Sequence, residues 1–343
     1  MSEFVHLHCH TQYSLLDGAS SIEDMMDKAV RDGQKGVALT DHGNMFGAFK
    51  FVNEAQKRGI KPIVGCEFYM VEDRHKQSFS RAKGERDKRF HQLMIAKNAT
   101  GYKNLSKLCS LGFIEGKYMK FPRIDKELIE KYHEAIIATS CCIGAEIPQT
   151  IIRGEEEKAE EKLKWWLDIF GDDYYIEIMR HAGLEDITIP DGYGRRKNSG
   201  YSQEDVNQVL LKWAEKYNVK VIATNDSHYV EEDDWMPHDI LLCLNTGNKL
   251  SDPIGEGRHE RFGFSSSDYY FKTTEEMSSL FSDVPQAVHN TMEIHDKVDQ
   301  LKLARDVLLP QFTVPGEFKD QDEYIRHITF EGAKNDIVKL QPK

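Results

Sequence analysis

The stretch Phe4-Val5-His6-Leu7-His8-Cys9-His10-Thr11 lies at the start of the 343-residue chain and decides how the rest is interpreted. Strand-forming residues alternate with imidazoles, and side chains of a strand alternate between its two faces. The pattern therefore predicts that His6, His8 and His10 project to one side. Neutral imidazole is the commonest metal ligand in proteins, so a metal site is favoured. The alternative is a solvated histidine strand or a tag remnant, although a tag would be an unbroken histidine run.

The composition limits the classes of protein to consider. A net charge of -12 argues against non-specific affinity for nucleic acid over the whole surface, so that any phosphate contact must be local. The six cysteines form no CxxC pair and lack the spacing of a small disulfide-bonded domain. The chain shows no signal peptide and no long apolar run. These features predict a reduced, cytoplasmic protein that does not contact a membrane.

Short apolar strands alternate with helices along most of the chain. Strands are predicted at 36–40, 60–70, 91–96, 135–139, 174–178 and 219–224, with helices between them that include 20–33, 45–58, 155–170 and 204–217. This alternation is typical of an α/β protein with a parallel sheet and helices outside it. The number of strands favours a closed (β/α) barrel, in which functional residues gather at the carboxyl ends of the strands.

The alternation ends near Lys272, where further helices are predicted at 274–281, 284–298 and 321–337. The predicted domains are therefore a barrel over residues 1–271 and a mainly helical segment over residues 272–343.

Residues that can bind metal follow the predicted strands or sit at their ends. These candidates are His8, His10, Asp17, Asp41, His42, Glu67, His91, Cys141, Cys142, Asp226 and His228. In a barrel such positions converge on one rim. The mixture of imidazole, carboxylate and thiol exceeds what one metal can use, which predicts two or three metals sharing carboxylate bridges. Other histidines, such as His238, lack this context and are expected to be ordinary helix or loop residues.

Two stretches are basic. Residues 74–89 contain seven cations, Arg74, Lys76, Arg81, Lys83, Arg86, Lys88 and Arg89, and residues 191–200 contain Arg195, Arg196 and Lys197. They are either solvated surface loops or guides for a polyanionic substrate toward the strand ends.

Five motifs occur in order along the chain: His8-Cys9-His10-Thr11, Ser14-Leu15-Leu16-Asp17-Gly18, Thr40-Asp41-His42-Gly43, Gly65-Cys66-Glu67 and Asn225-Asp226-Ser227-His228-Tyr229. Together they resemble the PHP (polymerase and histidinol phosphatase) domain, in the form found at the N-terminus of bacterial replicative DNA polymerases. The resemblance runs from the first residues almost to the last.

The resemblance implies a distorted seven-stranded (β/α) barrel that holds a trinuclear cluster of divalent metals, zinc or manganese, with iron or magnesium also compatible. The implied ligands are His8, His10, Asp17, His42, Glu67, His91, Cys142, Asp226 and His228. Cys142 is preferred to Cys141 because it keeps the family's spacing to Glu146-Ile147-Pro148. Glu67 and Asp226 are the expected bridging carboxylates, and with His228 they form the expected catalytic group.

The implied activity is metal-dependent phosphodiester hydrolysis, as a 3′-5′ exonuclease that proofreads during DNA replication. The implied partners are DNA, as a single-stranded 3′ end or a primer-template, and other subunits of the replicative polymerase. The residues that carry polymerisation would lie outside this chain, which is not expected to polymerise DNA by itself. Two alternatives stay open: a metal-stabilised structural domain without turnover, and a stand-alone phosphatase.

Overall fold

The structure is a computed structural model that describes residues 3–80, 85–190, 196–255, 260–310 and 312–340. Its strands are β1 (Gly36–Leu39), β2 (Lys61–Met70), β3 (Phe90–Ala96), β4 (Arg123–Ile124), β5 (Ile136–Thr139), β6 (Tyr174–Ile178), β7 (Thr188–Pro190), β8 (Arg196–Asn198) and β9 (Val221–Ala223). Its helices are α1 (Ile22–Arg31), α2 (Ala48–Arg58), α3 (Ala99–Ile114), α4 (Lys126–Tyr132), α5 (Glu146–Ile152), α6 (Glu156–Phe170), α7 (Gln203–Tyr217), α8 (Trp235–Thr246), α9 (Thr274–Leu280), α10 (Pro285–Lys297) and α11 (Gln321–Leu340).

The main sheet runs in the order β1-β2-β3-β5-β6-β9, with β4 paired to β2. The N-terminal stretch lies between the two ends of this path. On one side the Ala38 amide donates to the His6 carbonyl at 2.9 Å, and on the other the His10 amide donates to the Ser227 carbonyl at 2.7 Å. These bonds close the sheet into a distorted barrel, which confirms the predicted fold class.

One strand of the barrel runs against the others. Strand β3 is antiparallel to both β2 and β5, whereas the remaining pairs along the sheet path are parallel. The expectation of an all-parallel sheet is therefore wrong. Because β3 is reversed, its first residues, and not its last, lie at the rim where the other strands end. His91 reaches this rim from the start of β3, opposite Tyr69.

The barrel interior is filled with apolar side chains below the rim. One buried cluster takes a residue from nearly every strand of the barrel, and its members include Val5, Leu7, Ala38, Ile63, Ile95, Ile137, Tyr175 and Ile222. Two other buried clusters join the outer faces of the strands to the surrounding helices. Each fully buried aliphatic side chain contributes about 1.5–3 kcal/mol to folding. The rim residues thus stand on a packed base.

Helix α1 begins at Ile22, two residues after the predicted start at residue 20. The Ser21 side chain accepts from the Asp24 amide and caps the helix. Ser20 instead forms a β-bridge with Thr11, and its carbonyl accepts from the Gln12 amide at 2.8 Å, so the helix begins only after it.

The chain divides into two compact units, Met1–Leu303 and Ala304–Lys343. Helix α10 packs against β9, and its Thr291 hydroxyl accepts from the Val5 amide at 3.2 Å. These contacts show that α10 packs on the barrel. The domain boundary predicted after residue 271 stays a prediction. Within the described ranges, no helix combines the length and apolar character needed to cross a membrane.

Gly101 provides a test of how tightly the helices pack on the barrel. A Cβ atom at this position of α3 would lie 2.0 Å from the Ala135 carbonyl oxygen, whereas at Gly112 in the same helix it would meet ordinary contacts from 3.4 Å outward. Overpacking should make Gly101→Ala less stable by about 1–3 kcal/mol. The control Gly112→Ala should be unchanged or more stable by up to about 1 kcal/mol, since alanine favours helix. Urea unfolding curves measure both, and equal stabilities of the two variants would contradict the packing.

Candidate metal centre

The residues predicted as ligands meet at one rim of the barrel. His8 and His10 come from the N-terminal stretch, Asp17 from the turn after it, His42 from the residues after β1, Glu67 from β2, His91 from the start of β3, Cys142 from the residues after β5, and Asp226 and His228 from those after β9. Residues far apart in sequence thus form one cluster because the strand ends that carry them converge.

Glu67 and Asp226 are the two carboxylates at the centre of the cluster. His8 Nε2 lies 3.4 Å from Glu67 Oε1 and 3.3 Å from Asp226 Oδ1. His10 Nε2 lies 3.3 Å from Glu67 Oε2 and 3.1 Å from Asp226 Oδ1. Each carboxylate therefore faces both histidines of the N-terminal stretch, which is the position needed to bridge two ions.

The other side of Glu67 faces His42, His91 and Cys142. Its Oε2 lies 2.7 Å from His42 Nδ1, and its Oε1 lies 3.0 Å from His91 Nδ1 and 3.4 Å from Cys142 Sγ. The second ring nitrogen of His42 lies 2.9 Å from Asp17 Oδ2. Cys141 Sγ lies 3.2 Å from the same Oε1. Glu67 is thus surrounded by four imidazoles and two thiols, while Asp17 closes the outer edge of the cluster.

Outer hydrogen bonds orient two of the histidines. His8 Nδ1 lies 2.7 Å from Glu177 Oε1. His10 Nδ1 lies 2.9 Å from Ser14 Oγ, whose own proton is donated to Asp41 Oδ1 at 2.8 Å. Since a carboxylate and a hydroxyl that is already donating can only accept, Nδ1 carries the proton on both rings. The Nε2 atoms of both rings therefore face the cluster and are the atoms that can ligate an ion.

His228 is oriented by the main chain of its own turn. Its Nδ1 donates to the Asp226 carbonyl at 2.8 Å, and its ring stacks on that of His10 with centroids 4.2 Å apart. Because Nδ1 carries the proton, the Nε2 of His228 is available as a metal ligand, as it is in His8 and His10.

Several residues near the rim have a strained backbone. Asp226 has φ 48°, Cys141 has φ 59° and Leu16 has φ 60°, all in the left-handed region that residues with a side chain seldom adopt. Such positions cost about 1–3 kcal/mol each and collect at functional sites. The strain at Asp226 follows β9 directly and brings its carboxylate over the barrel mouth.

Several buried donor atoms of the cluster have no hydrogen-bond partner among the described residues. They are His8 Nε2, His10 Nε2, Asp17 Oδ1, His42 Nδ1, Glu67 Oε2 and Asp226 Oδ1. A buried polar atom without a partner costs about 1–3 kcal/mol, so six in one place need an explanation. All six are atoms of a type that ligates divalent cations. The ligand atoms of neighbouring His, Cys, Asp and Glu side chains also lie within 4.8 Å of one another, so the cluster fits a site for such ions.

Charge within the cluster shifts its pKa values in opposite directions. Burial lowers the pKa of His8, but the carboxylates of Asp226, Glu177 and Glu67 outweigh burial and hold it well above its usual value. Burial raises the pKa of Glu67, but the surrounding histidines outweigh burial and hold it well below its usual range. Burial likewise lowers the pKa values of His42 and His91, but Glu67 and other neighbours hold both well above the usual value. Without metal, protons on these three imidazoles would therefore balance the carboxylates. Bound cations would replace these protons.

The two neighbouring cysteines differ in acidity. A hydrogen bond from Cys141 lowers the pKa of the Cys142 thiol, and His91 adds to this effect. Burial raises the pKa of Cys141 well above its usual value. Cys142 is therefore the better candidate for a metal-binding thiolate, although Cys141 Sγ also lies 3.2 Å from Glu67 Oε1.

His6 does not join the cluster. Its Nε2 lies 2.7 Å from the Lys272 carbonyl, and its ring packs against Phe4 and Phe271. The prediction that His6, His8 and His10 project to one side is wrong because the chain bends at His8, which breaks the alternation of a regular strand.

Two residues near the cluster escape sequence reasoning. Glu177, in the middle of β6, is buried against His8; a single acidic residue inside the apolar run Tyr174–Ile178 is the signal that could have found it. His238 in α8 is also buried, with its ring 5.8 Å from that of His228. It was expected to be an ordinary helix residue, and its sequence context gives no signal.

The basic stretch before β3 is only in part available to a substrate. Arg74 is buried and paired with Asp125 at 2.8 Å and Glu115 at 2.8 Å, so it holds the fold together and cannot guide a polyanion. Arg86 and Lys88 line an open cavity of about 520 Å³ with Lys76. The positions Arg81, Lys83 and Arg195 lie outside the described residues.

Comparisons with known proteins point to one family. The model of the PHP domain family matches residues 6–181. The chain is 42% identical over 335 residues to a DNA polymerase III subunit alpha of Borreliella burgdorferi, covering 97% of this chain and 27% of that protein. It is 38% identical over 338 residues to the subunit alpha of Thermus aquaticus, covering 96% and 26%. The chain spans about a quarter of the length of these curated relatives.

Solved structures align more loosely. A two-domain protein of Bacteroides vulgatus, described as containing a predicted PHP-like metal-dependent phosphoesterase, aligns with a TM-score of 0.37 and 14% identity over 85% of this chain and 63% of its own. An amidohydrolase of Chromobacterium violaceum aligns with a TM-score of 0.38 and 14% identity over 69% and 96%. On the family match, which covers half of its length, the chain belongs to the PHP domain family.

Metal binding should be measurable as stability. Adding zinc or manganese to chelator-treated protein should raise the melting temperature, since a ligand at 100 times its Kd adds about 2.7 kcal/mol. In Glu67→Gln this rise should be largely lost, because Glu67 faces four of the imidazoles. The control Glu146→Gln removes a buried carboxylate of α5 that pairs with Lys162 outside the cluster, and it should keep the full rise. An equal rise in all three proteins would contradict the ligand set.

Proposed function

We propose that the chain is a metal-dependent phosphodiesterase, acting as a 3′-5′ exonuclease, within the alpha subunit of a bacterial replicative DNA polymerase. The observation that carries the proposal is the meeting of unpartnered His8 Nε2, His10 Nε2, Glu67 Oε2 and Asp226 Oδ1 at one barrel rim. The similarity to DNA polymerase III alpha subunits supports the setting.

The proposed ligands are the nine residues named from the sequence. Three overlapping groups of donors support more than one ion: His8, His10 and Asp226; His10, His42 and His228; His42, Glu67 and His91. The first and second groups share His10, and the second and third share His42. The first and third are linked because His8 contacts Glu67. Such sharing is expected where carboxylates bridge neighbouring ions. Imidazole and thiolate suit zinc, and carboxylates also suit manganese or magnesium.

Divalent ions bound here would lower the pKa of a water and offset charge on phosphoryl oxygens. The chain itself prepares the site for this chemistry. Burial and the neighbouring His10 lower the pKa of His228 to about 3, so its imidazole is neutral at neutral pH and offers a lone pair. His8, His10 and Glu67 form a wall whose side chains are closed to solvent.

The open side of the cluster is where a phosphodiester can enter. The side chains of His91, Asp17 and Asp226 are 31%, 21% and 15% exposed, in contrast to the closed wall behind them. We infer that Arg86 and Lys88, on the segment that leads into β3 and His91, contact the phosphates of the incoming strand. They line an open cavity whose other charged residues are Lys76, Arg123, Glu72, Asp73, Glu85 and Asp87. A 3′ end of single-stranded DNA is the substrate we propose, with the polymerase and its other subunits as partners in the cytoplasm.

Burial of the cluster gives a second candidate function some support. A closed site of this kind contributes folding energy even without turnover, so the domain could brace a polymerase purely as a metal-stabilised structure. A stand-alone phosphatase for small esters is less favoured, because it has no use for a cationic approach outside the pocket.

The central test follows nucleotide release from a 3′-labelled single strand by metal-loaded protein. Asp226→Asn should lower the rate at least about 100-fold, as expected for loss of a group that stabilises the transition state. This carboxylate is the one to change because it faces both His8 and His10. The control Glu146→Gln should keep the activity. Bound metal with no release by the unaltered protein, also after manganese is added, would favour the structural function, and release from small phosphate esters alone would favour the phosphatase.

A second test separates guiding cations from structural ones. The pair Arg86→Ala and Lys88→Ala should weaken single-strand binding and reduce the slope of log K against log salt by about 1.4, at about 0.7 for each lost phosphate contact. Stability should hardly change. Arg74→Ala should instead destabilise the fold by about 3–5 kcal/mol, because it leaves buried Asp125 unpaired. Fluorescence anisotropy across a salt series and urea unfolding measure the two effects, and an unchanged salt slope in the double variant would remove these cations from the DNA path.

A further inference from the structure

Glu177 is a buried carboxylate inside the barrel that the ligand set does not use. It lies in the middle of β6 and is 1% exposed. Its neighbours on the strand, Ile176 and Ile178, are buried apolar residues of the core. Acidic side chains are almost never fully buried unless they are paired, so this position needs a partner.

Three hydrogen bonds end on this carboxylate. His8 Nδ1 lies 2.7 Å from Oε1, the Thr224 hydroxyl donates to Oε1 at 2.5 Å, and the Thr139 hydroxyl donates to Oε2 at 2.5 Å. The direction of the Thr139 bond is fixed because a carboxylate can only accept, so the Thr139 hydroxyl must donate. The same hydroxyl oxygen accepts from the Cys141 amide at 3.0 Å. A carboxylate held by two hydroxyl donors can serve His8 only as an acceptor.

We propose that Glu177 is a positioning residue for the metal centre: it fixes His8 as the Nδ1-protonated tautomer, aims its Nε2 lone pair at the ions, and supplies a negative charge behind the ligand. Carboxylates in this place raise the basicity of a ligating imidazole, and their loss costs about 10–100-fold in metal affinity. The pattern differs from that of Glu67, whose oxygens face the cluster directly and include an unpartnered atom. The inference rests on the proposed metal centre but not on exonuclease activity.

The affinity of the protein for zinc, measured by competition with a chromophoric chelator, tests this role. Glu177→Gln keeps the shape and an acceptor oxygen while removing the charge, so affinity should fall about 10–100-fold. The melting temperature of the metal-free protein should also fall, because the variant removes one partner of a buried ion pair; the zinc affinity, and not the stability, therefore decides between a positioning and a purely structural role. The matched control is Glu293→Gln, since Glu293 accepts from the Tyr175 hydroxyl of the same strand at 2.6 Å but lies outside the cluster; its zinc affinity should equal that of the unaltered protein.

The outcomes are distinct. If Glu177→Gln lowers the metal-free melting temperature but leaves zinc affinity unchanged, Glu177 only braces the barrel and the proposal is overturned. If the unaltered protein binds no zinc or manganese, the metal centre itself fails, and this role fails with it.

A measurement on the unaltered zinc-loaded protein avoids any risk that a variant does not fold. Long-range ¹⁵N–¹H correlation spectra of the histidine rings, with the His8 signals identified by their absence in His8→Gln, report which nitrogen carries the proton. The expected result is a protonated Nδ1 and a metal-bound Nε2 on His8. A protonated Nε2 would overturn the proposal without reference to activity.

Discussion

The constraint on which the site depends is the burial of the Glu67 carboxylate among imidazoles. Burying an unpaired carboxylate costs several kcal/mol, and this one is closed to solvent in the barrel mouth. Four histidines from different parts of the chain, His8, His10, His42 and His91, approach within 3.4 Å of its oxygens. No short sequence segment can present so many donors to one carboxylate. A barrel can, because its strand ends lie on a ring.

The packing below the rim makes this concentration of polar groups tolerable. The apolar interior is built from residues such as Ile63, Ile137 and Ile222, and it ends where the polar rim begins. The apolar interior therefore supplies much of the folding free energy. The polar rim above it contains the buried charges and the left-handed backbone, which destabilise the fold. This separation lets the rim keep donor atoms that protein groups do not satisfy, and these atoms are what a metal centre requires.

Much of this arrangement was predictable from sequence, for physical reasons that also explain the errors. Short apolar runs followed by His, Asp or Glu mark strand ends, and strand ends of a barrel converge, so the ligands at His42 and Asp226 could be brought together in advance. His91 begins its strand and reaches the same rim only because β3 is reversed. Hydrophobic pattern carries no information on strand direction, and β3 was therefore assigned the wrong one. A bend at His8 removed His6 from the shared face. Glu177 needed a partner 169 residues away to acquire meaning.

Charge composition was the least informative signal. The cations of residues 74–89 were treated as one group, yet the structure gives them different surroundings. Arg74 is surrounded by acids from residues 115–127, which local sequence cannot reveal. Arg86 and Lys88 line an open cavity instead. Whether a cationic side chain is solvated or paired with carboxylates depends on the residues that the fold places beside it.

The N-terminal stretch that closes the barrel has a consequence for the order of folding. It leaves the ribosome well before two of its hydrogen-bond partners, Glu177 and Lys272, which lie 169 and 266 residues further along. Contacts of such long sequence separation form late and slowly. During synthesis the histidine-rich segment therefore lacks these partners until the 266 residues from His6 to Lys272 have been made. Premature capture of metal by these histidines, before the strands that complete the site exist, is a hazard of placing the closing element ahead of its partners in the sequence.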